Sequence, residues 1–481
     1  MTTRRGFLGL LAGAAGLGTA GFVVGGQAGN NGLLRSRRPL PEPFTVPLPI
    51  PQVKRPTRVD GGVEYYTVVQ RAADVEILPG ARTKIWGYDG TFPGPTFHLR
   101  QGRKAVVEVR NELDVPTSTH LHGGVTPPES DGYPTDLVKP FAAKTYTYPV
   151  SQRAATLWYH DHRMDYTAPQ VWRGLAGLCL VGDAEEDALD LPRDKYDVPL
   201  LLTDRAFDED GAFLYPASHS GMGVEKDYAN GVLGDVVLVN GAPWPVLDVD
   251  ATRYRLRIVN GSNARRYELA LDPGGDLVQI GSDAGLLGAP QVHQSLVVAP
   301  GERFDVLVDF AAYPVGTEVA VADRLGGQVM RFKVARPGPA SAPVPERLAA
   351  FDKLDTSVVT RSFDFRTTME HHGARMWTIN GQMYAPGEII ATPRLGTVER
   401  WRLTSDFHHP VHLHLAHFQV ISRGGGGPLP RDAGWKDTVD IRPYETVEVL
   451  ARFDGHRGRY MMHCHNLEHE DMAMMADFFV G

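Results

Sequence analysis

Two residue classes are scarce in this sequence of 481 residues, and each shortage excludes a class of protein. The chain has two cysteines, too few for a disulfide-rich scaffold. Its 49 lysines and arginines are outnumbered by 57 acidic residues, and no basic stretch offers a stripe for phosphates. We therefore expect no nucleic-acid partner. With 42% hydrophobic and 22% charged residues, the composition is typical of a globular protein and not of a disordered one.

Beyond the N-terminal segment, the sequence also lacks a transmembrane candidate and any long amphipathic helical pattern. Glycine (52) and proline (36) are plentiful instead, which suits many short strands joined by turns. Three segments alternate like strands and resemble one another: Val106–Asn111, Arg255–Asn260 and Glu399–Thr404. Their spacings of 149 and 144 residues indicate three related β domains.

We therefore predict an all-β protein of three domains, built as Greek-key sandwiches or barrels. One boundary falls in an acidic, proline-containing stretch near 184–195, and another in the proline-rich and alanine-rich linker at 335–345. A proline-rich lead-in precedes the first domain. The predicted domains are the ranges 57–184, 195–336 and 346–481.

Residues 1–34 do not have the composition of a folded domain. An arginine pair precedes a stretch without charge from Gly6 to Leu34, a pattern that resembles a twin-arginine export signal. We expect delivery to the periplasm, the cell surface or the medium, with cleavage after either Ala20 or Ala28. A membrane anchor is the alternative, but the stretch is glycine-rich and weakly hydrophobic, so we expect no stable membrane insertion of the mature protein.

Histidine carries the strongest signal in the sequence. Random placement of 18 histidines in 481 positions gives about 0.7 His-x-His pairs, and four are present. The pairs are His120 with His122, His160 with His162, His412 with His414, and His463 with His465. Two lie in the first predicted domain and two in the third, so we expect them to meet where these domains contact each other. The middle domain has no pair, and we expect it to serve as structure.

The spacing within each pair has a geometric reason. Side chains i and i+2 of a strand point to the same face, so two imidazoles project side by side. They can then bind one metal ion or two adjacent ions, and imidazole suits copper, zinc, iron and nickel. Eight histidines exceed what one tetrahedral zinc ion can use, so the pattern favours a cluster of several ions.

Cys464 lies between two of these histidines and gives a second signal. On a strand its thiolate points away from His463 and His465, towards a different metal ion. A cysteine with two histidines and a weakly bound methionine is the ligand set of an electron-transfer blue copper site. The nearby candidates for the other ligands are His409, His469 and Met474.

Four segments of the chain resemble the copper-binding motifs of three-domain multicopper oxidases. They are His120–Gly123, Trp158–His162, His409–His414 and His463–His469. The likeness extends from about Tyr65 to Phe479, and five segments are particularly similar to bacterial spore-coat laccases and bilirubin oxidases. These are His122–Pro127, Ser130–Pro134, Asp197–Asp204, Gly434–Thr438 and Leu467–Asp471. The resemblance implies three cupredoxin-like Greek-key β-barrel domains and four copper ions per chain.

The resemblance also implies which ion each residue binds. The type 1 copper takes His409, Cys464 and His469, with Met474 as axial ligand and Met475 as an adjacent alternative. The type 2 copper takes His120 and His412. One type 3 copper takes His122, His160 and His465, and its partner takes His162, His414 and His463. This division of the cluster follows the family pattern and not the spacing of the residues.

The implied activity is that of a laccase-like oxidoreductase, and a monomer is the state typical of the family. One-electron oxidation of phenols, aromatic amines or bilirubin-type substrates at the type 1 copper is coupled to reduction of O₂ to water at the other three ions. A small aromatic reductant and O₂ are therefore the expected partners. Asp131 and Glu470 match acidic positions linked to proton supply, although orienting ligands or capping turns is the alternative role.

Two other functions remain open at this point. A metallo-oxidase that detoxifies Cu(I) or Fe(II) would be favoured by a cluster of methionine or acidic residues beside His409 or His469. Copper storage without turnover belongs to a different class of function. We disfavour it because an electron-transfer site coupled to a cluster is unnecessary for holding ions.

Overall fold

The computed structural model describes residues 32–218, 223–355, 358–368 and 376–481. Strands dominate these ranges, and the α-helices described in them have between four and six residues. The helices are α1 (Thr167–Trp172), α2 (Ala184–Asp187) and α3 (Leu467–Asp471). The prediction of an all-β protein is confirmed. None of the helices in the described ranges has the length and apolar character that crossing a membrane requires.

The first part of the chain folds into two five-stranded sheets, with strand orders β2-β6-β11-β10-β8 and β3-β4-β7-β9, to which β5 adds beside β4. The strands up to residue 182 are β1 (Gly32–Leu34), β2 (Val53–Lys54), β3 (Arg58–Asp60), β4 (Val63–Val75), β5 (Thr83–Tyr88), β6 (Gly94–Arg100), β7 (Ala105–Asn111), β8 (Thr119–His122), β9 (Ala143–Tyr148), β10 (Ala155–Asp161) and β11 (Ala176–Gly182).

The middle part folds into a seven-stranded sheet, β15-β14-β12-β17-β22-β19-β20, and a five-stranded sheet, β16-β24-β23-β18-β21. Its strands are β12 (Asp197–Arg205), β13 (Val232–Gly234), β14 (Val236–Val239), β15 (Ala242–Pro243), β16 (Val246–Ala251), β17 (Arg253–Asn260), β18 (Tyr267–Asp272), β19 (Leu277–Ser282), β20 (Gly285–His293), β21 (Leu296–Val298), β22 (Arg303–Asp309), β23 (Glu318–Asp323) and β24 (Gly327–Pro337).

The last part again folds into two five-stranded sheets, β26-β25-β28-β32-β30 and β27-β34-β33-β29-β31. Its strands are β25 (Thr360–Thr367), β26 (Trp377–Ile379), β27 (Ile389–Ala391), β28 (Thr397–Ser405), β29 (His409–Leu413), β30 (His417–Arg423), β31 (Thr438–Ile441), β32 (Thr446–Phe453), β33 (Gly458–Cys464) and β34 (Met475–Val480). Each of the three pairs of sheets encloses its own hydrophobic core.

The three repeated segments occupy equivalent places in these sheets. β7, β17 and β28 each pair in parallel with the first long strand of their domain, which is β4, β12 and β25 respectively. On the other side each pairs antiparallel, with β9, β22 and β32. The prediction that the three segments are the same structural element is confirmed, because strand neighbours and their directions agree in all three sheets.

The N-terminal segment joins the fold earlier than predicted. Most of the predicted export signal lies outside the described residues, but its last three, Gly32–Leu34, form β1 and pair in parallel with β13. The side chain of Ser36 then donates to Asp235 at 2.6 Å. Val53–Lys54 pairs with β6, so the first domain's sheet begins before residue 57. Cleavage after Ala20 or Ala28 would leave all these contacts intact.

The strands that carry the histidine pairs are neighbours within each outer domain. In the first domain β8 and β10 are antiparallel, and His120 stands opposite His160. In the third domain β29 and β33 are antiparallel, and His412 stands opposite His463. Each outer domain therefore presents its two pairs together at one end of one sheet.

Candidate metal centre

The eight paired histidines lie together in one cluster between the first and third domains, and none is more than 1% exposed. The rings of His122 and His412 stack with centroids 3.6 Å apart, and those of His120 and His414 stack at 3.8 Å. Each of these contacts joins the first domain to the third. The structure thus brings the four pairs together where the two domains meet.

Three imidazoles of the cluster point the same nitrogen at a common centre. The Nε2 atoms of His162, His414 and His463 lie 3.2, 3.3 and 3.3 Å from one another. On the far sides of the rings, the Nδ1 atoms face carboxylates, Asp131 at 2.8 Å from His414, and Glu470 at 3.2 Å from His162 and 3.0 Å from His463. The centre of this triangle is about 1.9 Å from each nitrogen, close to a metal–imidazole bond length.

A second set comprises His122, His160 and His465, whose ligand atoms lie within 4.8 Å of one another. A third set joins His120, His122 and His412. Several nitrogens in these sets are buried and have no hydrogen-bond partner among the described residues: Nε2 of His120, His160 and His412, Nδ1 of His122, and both nitrogens of His465. Leaving such atoms without a partner is costly, so their convergence fits bound cations.

Burial also favours the neutral form of most of these imidazoles, and the neutral form is the one that binds metals. It lowers the pKa of seven of the eight rings, and like charges on neighbouring imidazoles lower the pKa further in most of them. The seven are His120, His122, His160, His162, His412, His414 and His465. A protein interior that disfavours imidazolium this strongly leaves the lone pairs free for a metal ion.

Cys464 belongs to a separate, mononuclear set. Its Sγ lies 3.4 Å from Nδ1 of His409 and 3.6 Å from Nδ1 of His469, and the two nitrogens are 3.1 Å apart. All three side chains are fully buried. Burial raises the pKa of the Cys464 thiol well above its ordinary value. A cation at the centre of the set would offset that cost and favour the thiolate.

The two adjacent methionines point in different directions. Met474 packs in the hydrophobic core that contains Cys464, whereas Met475 packs with Tyr133 and Met461 in a separate cluster. Met474 therefore shares its hydrophobic core with Cys464, and Met475 does not.

The comparisons with known proteins agree on one family. Two sequence profiles, both described as multicopper oxidase, match residues 70–186 and 359–481. A laccase from Bacillus stratosphericus is 37% identical over 90% of this chain and 98% of its own length. A bilirubin oxidase from Albifimbria verrucaria is 37% identical over 90% of this chain and 81% of its own length. The crystal structure of a multicopper oxidase from Pediococcus acidilactici aligns with a TM-score of 0.85 at 33% identity, covering 93% of this chain and 94% of that one.

The chain belongs to the multicopper oxidase family.

This multicopper oxidase has the fold class that the resemblance implied, with three cupredoxin-like domains. Its metal is copper, and the donor sets suit that metal: imidazole nitrogens in the cluster, and two imidazoles with a soft thiolate in the mononuclear set.

The two predicted acidic residues both contact histidines of the cluster. Asp131 accepts from His414 Nδ1 with its carboxylate, and its backbone oxygen lies 2.5 Å from His120 Nδ1. Glu470 is fully buried between His162 and His463. Burial raises the pKa of Asp131 to about 6. Together the two carboxylates contact all three histidines of the first set. They can therefore fix the orientation of these three imidazole rings.

Sequence reasoning missed two residues that support the cluster, Arg303 of the second domain and Asp437 of the third. Arg303 donates to both carboxylate oxygens of Asp437, at 2.6 and 2.5 Å, and Asp437 in turn contacts His122 and His412. Although burial opposes ionisation, Arg303 holds the pKa of Asp437 well below its usual range. Asp437 lies within a segment that resembled the family, which hinted at importance but not at a role. No sequence pattern singled out Arg303.

The short helix α3 also does more than its sequence indicated. Besides carrying His469 and Glu470, it connects the third domain to the other two. Asp471 accepts from the backbone of Thr167 and Ala168 at the start of α1, at 2.9 and 2.8 Å. Glu468 accepts from Asn263 of the second domain at 2.8 Å, and burial raises its pKa to about 7.

Aromatic and polar groups cover the mononuclear set. The ring of Trp377 lies against His469, with centroids 3.8 Å apart. Asn466 places its amide nitrogen 3.2 Å from His469 Nε2. On the other side Asp406 places a carboxylate oxygen 3.6 Å from His409 Nε2. Trp377 and Asn466 thus contact the imidazole of His469, and Asp406 contacts that of His409.

Proposed function

We propose that this oxidase has laccase-like activity. It removes electrons one at a time from small aromatic donors, such as phenols, aromatic amines or bilirubin-type tetrapyrroles, and uses O₂ as the acceptor. One observation carries the proposal: Cys464 belongs to the mononuclear set, while the residues on either side of it, His463 and His465, belong to the cluster. A donor site and an oxygen site are therefore joined through adjacent residues.

Four copper ions per chain fit the described donor sets. The type 1 site is assigned to His409, Cys464 and His469, with Met474 as axial ligand; the type 2 site to His120 and His412; and the type 3 sites to His122, His160 and His465, and to His162, His414 and His463. Two of the three-histidine sets match this division. Bound copper supplies the one-electron redox chemistry, and the protein sets its ligands, distances and water access.

The protein contributes to oxygen reduction by positioning the ligand histidines and by supplying protons. Asp131 and Glu470 hold three ligand histidines and are buried beside the oxygen site, so they are also placed to hand over protons there. We assign proton delivery to these two carboxylates in addition to their positioning role. Reduction of one O₂ to two waters consumes four protons, and acids at the cluster shorten their path.

We further propose that the protein is exported by a twin-arginine-type route and acts as a monomer in the periplasm, at the cell surface or outside the cell. The support for export is the arginine pair followed by the uncharged stretch of residues 6–34. A route that carries folded proteins suits an enzyme whose histidine cluster forms only after its domains meet.

A metallo-oxidase acting on Cu(I) or Fe(II) is the second candidate. The observation in its favour is Asp406, an acidic residue beside His409 that could attract a cation near the mononuclear site. Among the described residues it is the one acid that pairs with His409, which is less than the acidic cluster expected of a metallo-oxidase, so the aromatic-donor assignment is preferred.

O₂ uptake by fully copper-loaded protein separates these functions. The donors are a phenol, an aromatic amine, Cu(I) and Fe(II), each at several concentrations. Laccase-like function predicts the highest kcat/KM with an aromatic donor. The reverse order would favour the metallo-oxidase, and no uptake with any donor would overturn both.

A further inference from the structure

Arg303 of β22 is the residue through which the second domain reaches the cluster. All five N–H donors of its guanidinium are used. Nε donates to the backbone oxygen of Thr156 in the first domain at 3.0 Å. Two others donate to backbone oxygens of Asp283 and Gly301 in its own domain, at 2.9 and 3.0 Å, and the remaining two to the carboxylate of Asp437 in the third. One buried side chain thus contacts all three domains.

Asp437, which Arg303 holds in place, contacts two histidines, one from each outer domain. Its Oδ1 lies 3.1 Å from Nε2 of His122, and its backbone oxygen lies 3.0 Å from Nδ1 of His412. Because an acceptor on one ring nitrogen places the proton there, the other nitrogen keeps its lone pair. These remaining atoms are Nδ1 of His122 and Nε2 of His412, which have no hydrogen-bond partner among the described residues. A metal ion would therefore be bound by Nδ1 of His122 but by Nε2 of His412.

The backbone of the second domain packs against His122 and against another histidine of the cluster, His465. Gly301, two residues before Arg303, has φ +82°, and a Cβ at this position would lie 2.9 Å from His465 and 3.1 Å from His122. On the other side, a Cβ on Gly123 would lie 2.4 Å from the Arg303 guanidinium. The approach is so close that no side chain fits between the second domain and the cluster.

We infer that Arg303 is a positioning residue for the oxygen site: it fixes the orientation of Asp437, and thereby selects Nδ1 of His122 as the metal-binding atom and holds His122 against His412. The inference rests on the copper assignment proposed above. The middle domain supplies no ligand to the sets described. Through Arg303 it nevertheless controls the orientation and the tautomer of ligand histidines from the other two domains.

The test is the variant Arg303→Lys, with Arg431→Lys as matched control. Lysine keeps the charge but cannot donate to both oxygens of a carboxylate and to three backbone oxygens at once. Arg431 is also a buried arginine between the second and third domains, but its ion pairs are with Glu302 and Asp440. A purely structural role would make both variants lose thermal stability and copper alike.

The readouts are copper ions per chain after dialysis against a competing chelator, the type 2 EPR signal, and the blue absorption of the mononuclear site. We expect R303K to lose affinity for cluster copper by about 10- to 100-fold, the usual effect of losing an outer contact to a ligand, and to keep its blue band. R431K should keep both. Equal copper affinity in the two variants, or equal losses from both, would overturn the inference.

Asp437→Asn provides an independent variant should R303K not accumulate as folded protein. The asparagine amide has one acceptor oxygen, and that oxygen would accept from the Arg303 guanidinium. Its NH₂ group would then donate to Nε2 of His122, so the ring proton of His122 would move to Nδ1. We expect loss of cluster copper with a retained blue band; full copper with an unchanged type 2 signal would overturn the inference. Fewer than four ions in the wild-type chain would instead contradict the proposed function, so the two failures can be told apart.

Discussion

The mononuclear set and the cluster differ in how many domains build them. His409 begins β29, Cys464 ends β33 and His469 lies in α3, so one domain supplies the whole mononuclear set. The cluster takes four histidines from each outer domain and is braced by Arg303 from the middle one. All residues of the mononuclear set therefore come from the third domain, whereas the cluster exists only where the first and third domains meet.

The difference extends to the kind of support that each site has. The mononuclear set lies in an apolar core with Trp377 against one imidazole. The cluster is surrounded by buried carboxylates, chiefly Asp131, Asp437 and Glu470. Apolar surroundings suit a site that exchanges only electrons, and acids suit a site that must also take up protons.

The largest expected effect comes from removing the thiolate that connects the two sites. Cys464→Ser should abolish the blue band and reduce turnover to background, because a hydroxyl is a poor ligand for this soft-donor site. Copper in the cluster should remain, since its eight histidines are untouched. Visible absorption, copper content and O₂ uptake check this.

Cys179→Ser is the matched control for that prediction. Cys179 is a buried free thiol in the core of the first domain and belongs to none of the ligand sets described. The control should keep its blue band and turnover and lose about 1–3 kcal/mol of unfolding free energy from burying a hydroxyl. A blue C464S protein, or a colourless C179S protein, would mean that the mononuclear set is misassigned.

A smaller effect is expected from replacing Glu470, one of the acids that contact the cluster. Glu470→Gln keeps the shape of the side chain but cannot deliver a proton, so turnover should slow by about 100-fold while copper content and the blue band stay full. Steady-state O₂ uptake beside metal analysis measures this. Unchanged turnover in a fully loaded, blue protein would leave Glu470 with a positioning role alone.

The smallest effect concerns the stability of the copper-free protein. Burial raises the pKa of Asp131 to about 6 in the folded state, against 3.8 for an unperturbed Asp. Between these values the folded state keeps a proton that the unfolded chain has released, so stability should fall as pH rises through that window. The loss is at most roughly 3 kcal/mol for a shift of this size.

Chemical denaturation of copper-free wild type and Asp131→Asn between pH 4 and 6 tests this. The amide does not titrate, so the variant should show a flatter pH dependence than the wild type. Parallel curves would show that Asp131 does not carry the raised pKa.

The grouping of the candidate ligands was predictable because their signal is local. A period of two residues places both histidines of a pair on one face of a strand, and the placement of Cys464 between two of them follows from the same rule. The all-β fold and the repeated strand were predictable for similar reasons, since both rest on short alternating segments. These features need no knowledge of tertiary structure.

The outer contacts were not predictable because they join single residues across long sequence separations. Arg303 and Asp437 are 134 residues apart and belong to different domains. The pairing of Gly32–Leu34 with β13 was missed because a glycine and two leucines continue the composition of the preceding segment. The different packing of Met474 and Met475 was not predictable either, because two adjacent methionines look alike in sequence and only the structure places them in separate clusters.

The most direct test of the account is a copper titration of the copper-free protein, followed by metal analysis and by absorption at about 600 nm, where copper–thiolate charge transfer of this ligand set absorbs. The account predicts four ions per chain and a blue protein. A colourless protein that binds a single ion would contradict it.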